Sequence, residues 1–409
     1  MLAEKEPCMC GRATLVMLVS STCITVTIIT EKVMAHFRAA PRGASLTSAG
    51  GVGAIGEYFS KLRHPPAKEC SMMRSLRFAA AVLAVAALAV TGTARAQSDV
   101  RSPLPAPVKV RLGMTNVPAL SALWLLPDYA AKYNIQMETV LFQRFADART
   151  ALAGGDLDIT AFGPQDISLG LGQGAKSMVG VAGVGSGNDC LVVRKGDDVK
   201  DWKALAGKAI GVGAGSISWL KFAASAQEHG LEYPRLKIVN IMGGGGNYLK
   251  ALQAKEIDMA VVWQPFCAQG IVDGYAQYAS IDHNTSKTVG GLIAVLAVNR
   301  GFMDKQRDAV QRLVVAYLDV LKFAQANRDR WSRIYAEKAG LPEPVAAESI
   351  RITRLDATLP LESIKRISKF LSDNGVITRD VSGEIAQSYT YDFLSKATGK
   401  SPAELGLSQ

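Results

Sequence analysis

The chain has 409 residues, 48% hydrophobic and 20% charged, which is room for two or three domains with ordinary cores and excludes wholesale disorder. Its net charge of +10 is uneven: residues 1–97 hold 11 Lys/Arg against 5 Asp/Glu, and residues 98–409 hold 35 against 31. The body lacks a Lys/Arg cluster interleaved with aromatics, so no nucleic-acid partner is expected; with only Cys190, Cys267, His229 and His283 beyond residue 97, neither a disulfide scaffold nor a metal site is expected.

Residues 13–30 (ATLVMLVSSTCITVTIIT) are apolar but diluted by seven Ser/Thr, a marginal membrane segment. Gly51, Gly53 and Gly56 match a dinucleotide-binding spacing but lack a preceding strand, so no cofactor is expected there. Residues 72–97 carry an export signal. Arg74 and Arg77 precede the apolar run 78–90, and Ala94-Arg95-Ala96 supplies a small-x-small cleavage box. The mature chain is expected to begin near Gln97, in the periplasm. Residues 1–71 then read as a mis-assigned or non-functional extension, with translation starting at Met72 or Met73.

The body repeats itself at a spacing of one hundred. Ala151, Leu152 and Asp158 recur as Ala251, Leu252 and Asp258; Tyr133 recurs as Tyr233; Val110-Arg-Leu-Gly113 aligns with Ile210-Gly-Val-Gly213. Each copy reads strand, helix, strand, helix, strand, with strands at 108–113, 138–142 and 158–162, then 208–213, 236–241 and 258–263. Two Rossmann-like α/β lobes are therefore predicted, ligand sites lying beyond the carboxyl ends of their strands.

The loops at those ends define the candidate site. The first lobe offers Thr115, Asn116 and Ser121, then Arg144 with Phe145, then Gly163, Pro164 and Gln165. The second offers Ser216 and Ser218, the tetraglycine 243–246, and Trp263 with Gln264. Ser216 and Ser218 sit where a helix begins, a place suited to an anionic head group. Arg144 would add a forked contact, and Phe145 and Trp263 would cover an apolar tail. The tetraglycine reads equally as an anion nest or as a flexible turn.

The runs 151–164, 205–216 (LAGKAIGVGAGS) and 251–265 resemble the nitrate/sulfonate/taurine substrate-binding proteins of ABC transporters. The resemblance covers residues near 105 to near 400. It implies a type II periplasmic-binding fold, a ligand held between two lobes, and delivery to a membrane permease; a small organic anion is the expected ligand and a soluble monomer the expected state. The family carries an acidic or amide residue after the tryptophan of the last motif; here it is Gln264.

Lobe I is expected from 105–188 plus 300–409, lobe II from 189–299. The run 291–299 would close lobe II, with hinges near Gly185–Asn188 and Asn299–Gly301. Val310, Leu313, Val314, Tyr317, Leu321 and Ala324 trace one face of a helix packed on lobe I, and Leu361, Ile364, Ile367 and Leu371 trace another, stopped near Gly375. Asp156 and Asp158 recur as Glu256 and Asp258, which marks them as strand-start structure rather than a catalytic pair. Gly399-Lys400-Ser401 lacks the glycine and βαβ unit of a P-loop.

Cys190 and Cys267 read as buried residues of lobe II, their pairing left open. An enzyme on the same scaffold, desulfinase-like or thiamine-pyrimidine-synthase-like, would need a cysteine in the first loop or a His/Cys cluster, and neither is present. A sensor feeding a membrane receptor would use the same binding chemistry.

Overall fold

The computed structural model describes residues 15–20, 23–28 and 99–408. The chain divides into two compact units, Met1–Thr93 and Ala94–Gln409. In the first unit β1 (Leu15–Ser20) pairs antiparallel with β2 (Cys23–Ile28). The marginal membrane run thus contains a β-hairpin, and among the described residues no helix is long and apolar enough to cross a membrane. The glycine spacing at 51–56 and the export signal at 72–97 lie outside the described residues.

The second unit holds two five-stranded sheets. The first is built from β3 (Val108–Thr115), β4 (Ile135–Phe142), β5 (Ile159–Phe162) and β6 (Met178–Gly185). The second contains β7 (Asp189–Arg194), β8 (Ala209–Val212), β9 (Lys237–Val239), β10 (Met259–Trp263) and β11 (Ala276–Tyr278). A last strand, β12 (Ala294–Asn299), returns to the first sheet. The orders are β4-β3-β5-β12-β6 and β11-β7-β10-β8-β9.

The repeat is visible in space. The trios β4-β3-β5 and β9-β8-β10 are parallel and ordered alike. Helices α1 (Pro118–Ser121), α2 (Leu126–Ala131), α3 (Phe145–Gly154) and α4 (Pro164–Gly172) serve the first sheet. Helices α5 (Ile217–Glu228), α6 (Gly245–Gln253) and α7 (Phe266–Val272) serve the second.

The recurring aspartates explain why both copies start alike. Asp158 accepts the Arg111 backbone N–H at 2.8 Å while its own N–H donates to the Arg111 carbonyl. Asp258 makes the same exchange with Ala209. Each carboxylate pins the third strand of its copy to the first, and each is paired with an arginine, Arg111 or Arg194. These residues are structural, as their repetition indicates.

One sequence expectation is corrected. The run ending at Asn299 does not close the second lobe: β12 inserts antiparallel between β5 and β6. The run is apolar on both faces, and a strand buried on both faces belongs inside a sheet. The second crossing between lobes is therefore residues 279–293, and Asn299 instead caps α8 (Arg300–Lys305) by accepting the Phe302 N–H.

The C-terminal helices are α9 (Arg307–Ala326), α10 (Arg328–Ala339), α11 (Glu343–Ile352), α12 (Leu361–Asp373) and α13 (Asp392–Thr398). The apolar faces read from the sequence in α9 and α12 are buried. The helices are not confined to the first lobe, however. Helix α11 packs on α7 of the second lobe, and Phe370 of α12 meets Trp219 of α5 edge to face.

Candidate functional site

The topology brings two carboxyl edges together. The chain leaves β6 at Gly185, crosses in three residues and starts β7 at Asp189, opposite Trp263 at the end of β10. Thr115, Phe162 and Gly185 thus share one edge of the first sheet. Val212, Trp263 and Asp189 share the facing edge of the second. Gly185 has φ +121°, and a Cβ there would overlap the Arg354 carbonyl, so this short crossing requires glycine.

At the first edge, Thr115 and Gln165 are buried, and the Thr115 Oγ1 and Gln165 Oε1 atoms have no hydrogen-bond partner. The Asn116 Oδ1 atom is buried and partnerless too. Gly163 and Pro164 open α4, with Pro164 in the first turn where its missing N–H costs nothing. Asp166 follows, 2% exposed and paired with Arg149 at 2.7 Å. Burial pushes its carboxyl up to about 6, against the opposing pull of Arg149. Ser121 is committed elsewhere, donating to the Pro118 carbonyl and accepting from the Trp331 indole at 2.8 Å. Arg144 is exposed at the start of α3 and forked onto Asp147 at 2.8 and 3.1 Å. Phe145 is half-buried beside it.

At the second edge, Ser216 caps α5, accepting the Trp219 N–H at 3.0 Å and donating to the Gly213 carbonyl. The other N–H groups of that first turn have no partner within the helix. Ser218 points inward, donating to Asp189 at 2.6 Å. Trp263 is half-buried, edge to face with Phe266 at 5.7 Å. Gln264 is fully buried: its Nε2 donates to Tyr278, and its Oε1 accepts from the Ala268 N–H and Ser349. The tetraglycine runs into α6, with Gly245 as its first residue.

Three groups escaped the sequence reading. Asn188, 3% exposed in the first crossing, has a partnerless Oδ1. Behind it, Lys221 donates to Asp189 at 2.8 Å with both side chains fully buried, and also to Asn284 and the Gly291 carbonyl in the second crossing. This cluster staples the two crossings together. The available signal was a lone lysine inside the apolar run ISWLKFAASA. Third, α11 reaches across: Glu348 accepts the Tyr278 hydroxyl at 3.0 Å, and Arg351 holds the same carboxylate at 2.7 Å. A cavity of ≈ 810 Å³ lies outside this contact, between α7, α10 and α11.

Cys190 of β7 and Cys267 of α7 form a disulfide. It ties the strand that starts the second lobe to the helix following Trp263 and Gln264.

His283 lies in the second crossing, near Asp189 and Lys221, 1% exposed, with neither ring nitrogen partnered. Burial pushes its imidazole down from 6.5 to about 4, with Asp189 and Asp282 opposing and Lys221 reinforcing. The unfolded chain takes up this proton near pH 6.5 and the folded chain only near pH 4. Stability is therefore present above pH 6.5 and lost as pH falls toward 4, by about 3 kcal/mol at most. Urea unfolding between pH 7.5 and 4.5 should show the loss, and His283→Leu should flatten it. An unchanged slope in that variant would assign the pH dependence elsewhere.

No curated protein matches the sequence. Among solved structures, the periplasmic aliphatic sulphonate binding protein SsuA of Escherichia coli superposes with TM-score 0.60 at 17% identity, covering 69% of this chain and 92% of that one. The periplasmic nitrate-binding protein NrtA of Synechocystis gives 0.56 at 13%, covering 73% and 91%. A cysteine-to-serine mutant of DSZB in complex with biphenyl-2-sulfinic acid gives 0.53 at 17%, covering 72% and 99%. At these identities the likeness establishes the fold, the two-lobed periplasmic-binding-protein architecture. The NMT1-like family model matches residues 114–336, from the end of β3 through α10, and the chain belongs to that family.

Proposed function

We propose that the protein is an extracytoplasmic solute-binding protein that captures a small organic anion between its lobes and delivers it to an ABC importer. The observation that carries this reading is the pair of facing strand edges, joined by two crossings, with buried polar atoms that lack protein partners at the first edge and in the first crossing. Buried polar groups without partners cost about 1–3 kcal/mol each, so a cluster of them at a cleft favours a ligand-binding role. The α5 N-terminus supports an anionic group, as do the sulfonate- and nitrate-binding proteins of similar fold. The disulfide accords with an oxidising compartment, the periplasm. Cleft residues under this reading are Thr115, Asn116, Gly163, Pro164, Gln165, Ser216 and Trp263, with Arg144 able to swing in from the rim. Ser121, Ser218 and Gln264 support the walls.

A second reading is an enzyme, favoured by the fold shared with DSZB. Against it, the first loop has no cysteine, and the two cysteines among residues 99–408 are joined to each other.

A thermal-shift screen of the purified protein against sulfonates, taurine, nitrate and aromatic carboxylates tests the proposal. A ligand at one hundred times its Kd should add roughly 2.7 kcal/mol of stability. A selective shift without consumption of the ligand supports capture, whereas turnover of a sulfinate would favour the enzyme.

A further inference from the structure

Gln165 carries an inference about the solute that rests on the binding reading above. It lies in the first turn of α4, and its carboxamide folds back over Gly163, where a Cβ would overlap it. Its Nε2 donates to Asp166 Oδ2 at 3.4 Å, and Asp166 Oδ1 in turn accepts from Arg149 at 2.7 Å. A flipped carboxamide would press its oxygen against that carboxylate, so the Arg149–Asp166 pair defines which way the amide points. Its Oε1 is the atom left buried and without a partner, on a residue 4% exposed. Thr115 Oγ1, at the end of the neighbouring strand, and Asn188 Oδ1, in the crossing, are also buried and unpartnered.

An acceptor held in one orientation recognises a donor. We infer that the solute presents an N–H or O–H group to Gln165, and that Gln165, oriented by Asp166 and Arg149, is the residue that selects for it. The ligand class is then a small solute carrying an amine, amide or hydroxyl donor, taken in preference to donor-free anions such as nitrate or a simple alkanesulfonate. A site built around a hydrogen bond rejects the analogue that lacks it, because its own polar atom is then left unpaired.

Matched probes that differ only in donors test this at pH 7.5, above the Asp166 titration. They are taurine against its N,N,N-trimethyl derivative and benzamide against N,N-dimethylbenzamide, with nitrate and methanesulfonate as donor-free anions. Calorimetry on the full chain should show at least tenfold tighter binding of a donor-bearing member than of its methylated partner. Gln165→Leu should erase that preference, and Asp166→Asn, which frees the amide to flip, should reduce it while binding persists. Thermal unfolding of both variants controls for folding. Equal affinities within a pair, selective binding of nitrate or methanesulfonate, or a preference that survives in Gln165→Leu would overturn the assignment and leave solute capture standing. Silence from all six probes would overturn the binding reading together with it.

Discussion

Replacing Lys221 by methionine is expected to lower the unfolding free energy by about 3–5 kcal/mol, the cost of stranding a buried charge. Lys221 and Asp189 are both fully buried, and the ammonium also holds Asn284 and the Gly291 carbonyl. Removing it leaves the Asp189 carboxylate with only the Ser218 hydroxyl and no counter-charge. The double variant Asp189→Asn/Lys221→Met removes both charges and should recover much of the loss, since a neutral pair of similar volume avoids the desolvation penalty. Urea unfolding of the parent, both single variants and the double variant completes a cycle. Additive effects would mean that the two charges do not act as a pair. Under the proposed binding role the consequence would extend to function, because the cluster joins both crossings between the lobes.

Breaking the Cys190–Cys267 disulfide is expected to cost about 4 kcal/mol. The bridge spans 77 residues of sequence, and cross-links closing loops between about 15 and 100 residues contribute roughly 3–4.7 kcal/mol on the chain-entropy account. The variant Cys190→Ala/Cys267→Ala should unfold at markedly lower denaturant, and reductant should move the parent toward it. A variant as stable as the parent would show that β7 and α7 hold each other by packing alone. The same variant should weaken solute binding if the bridge steadies Trp263 and Gln264, which precede Cys267 on α7.

Much of this organisation was legible in the sequence because it is local or repetitive. A period of one hundred marks two lobes, and Asp158 and Asp258 recur because each parallel trio needs its third strand pinned to its first. Apolar spacing located the buried faces of α9 and α12, since helix period alone decides which side chains face a core. The loops at the strand ends follow from strand order, which put Thr115, Gly163, Gln165 and Trp263 at the facing edges.

What the tertiary structure alone decided involves partners distant in sequence. Residues 294–299 read as a buried strand, but the choice of sheet depends on which gap remains open, and that gap lies between β5 and β6. Ser121, Ser218 and Gln264 have the chemistry of ligand contacts, yet Trp331, Asp189, Tyr278 and Ser349 satisfy them from up to 210 positions away. Gln165 has the same chemistry and keeps a free oxygen, because Asp166 takes only its nitrogen. Spacing along a chain reports which side chains can face a cleft; whether a polar atom there is still unpaired is settled by three-dimensional packing.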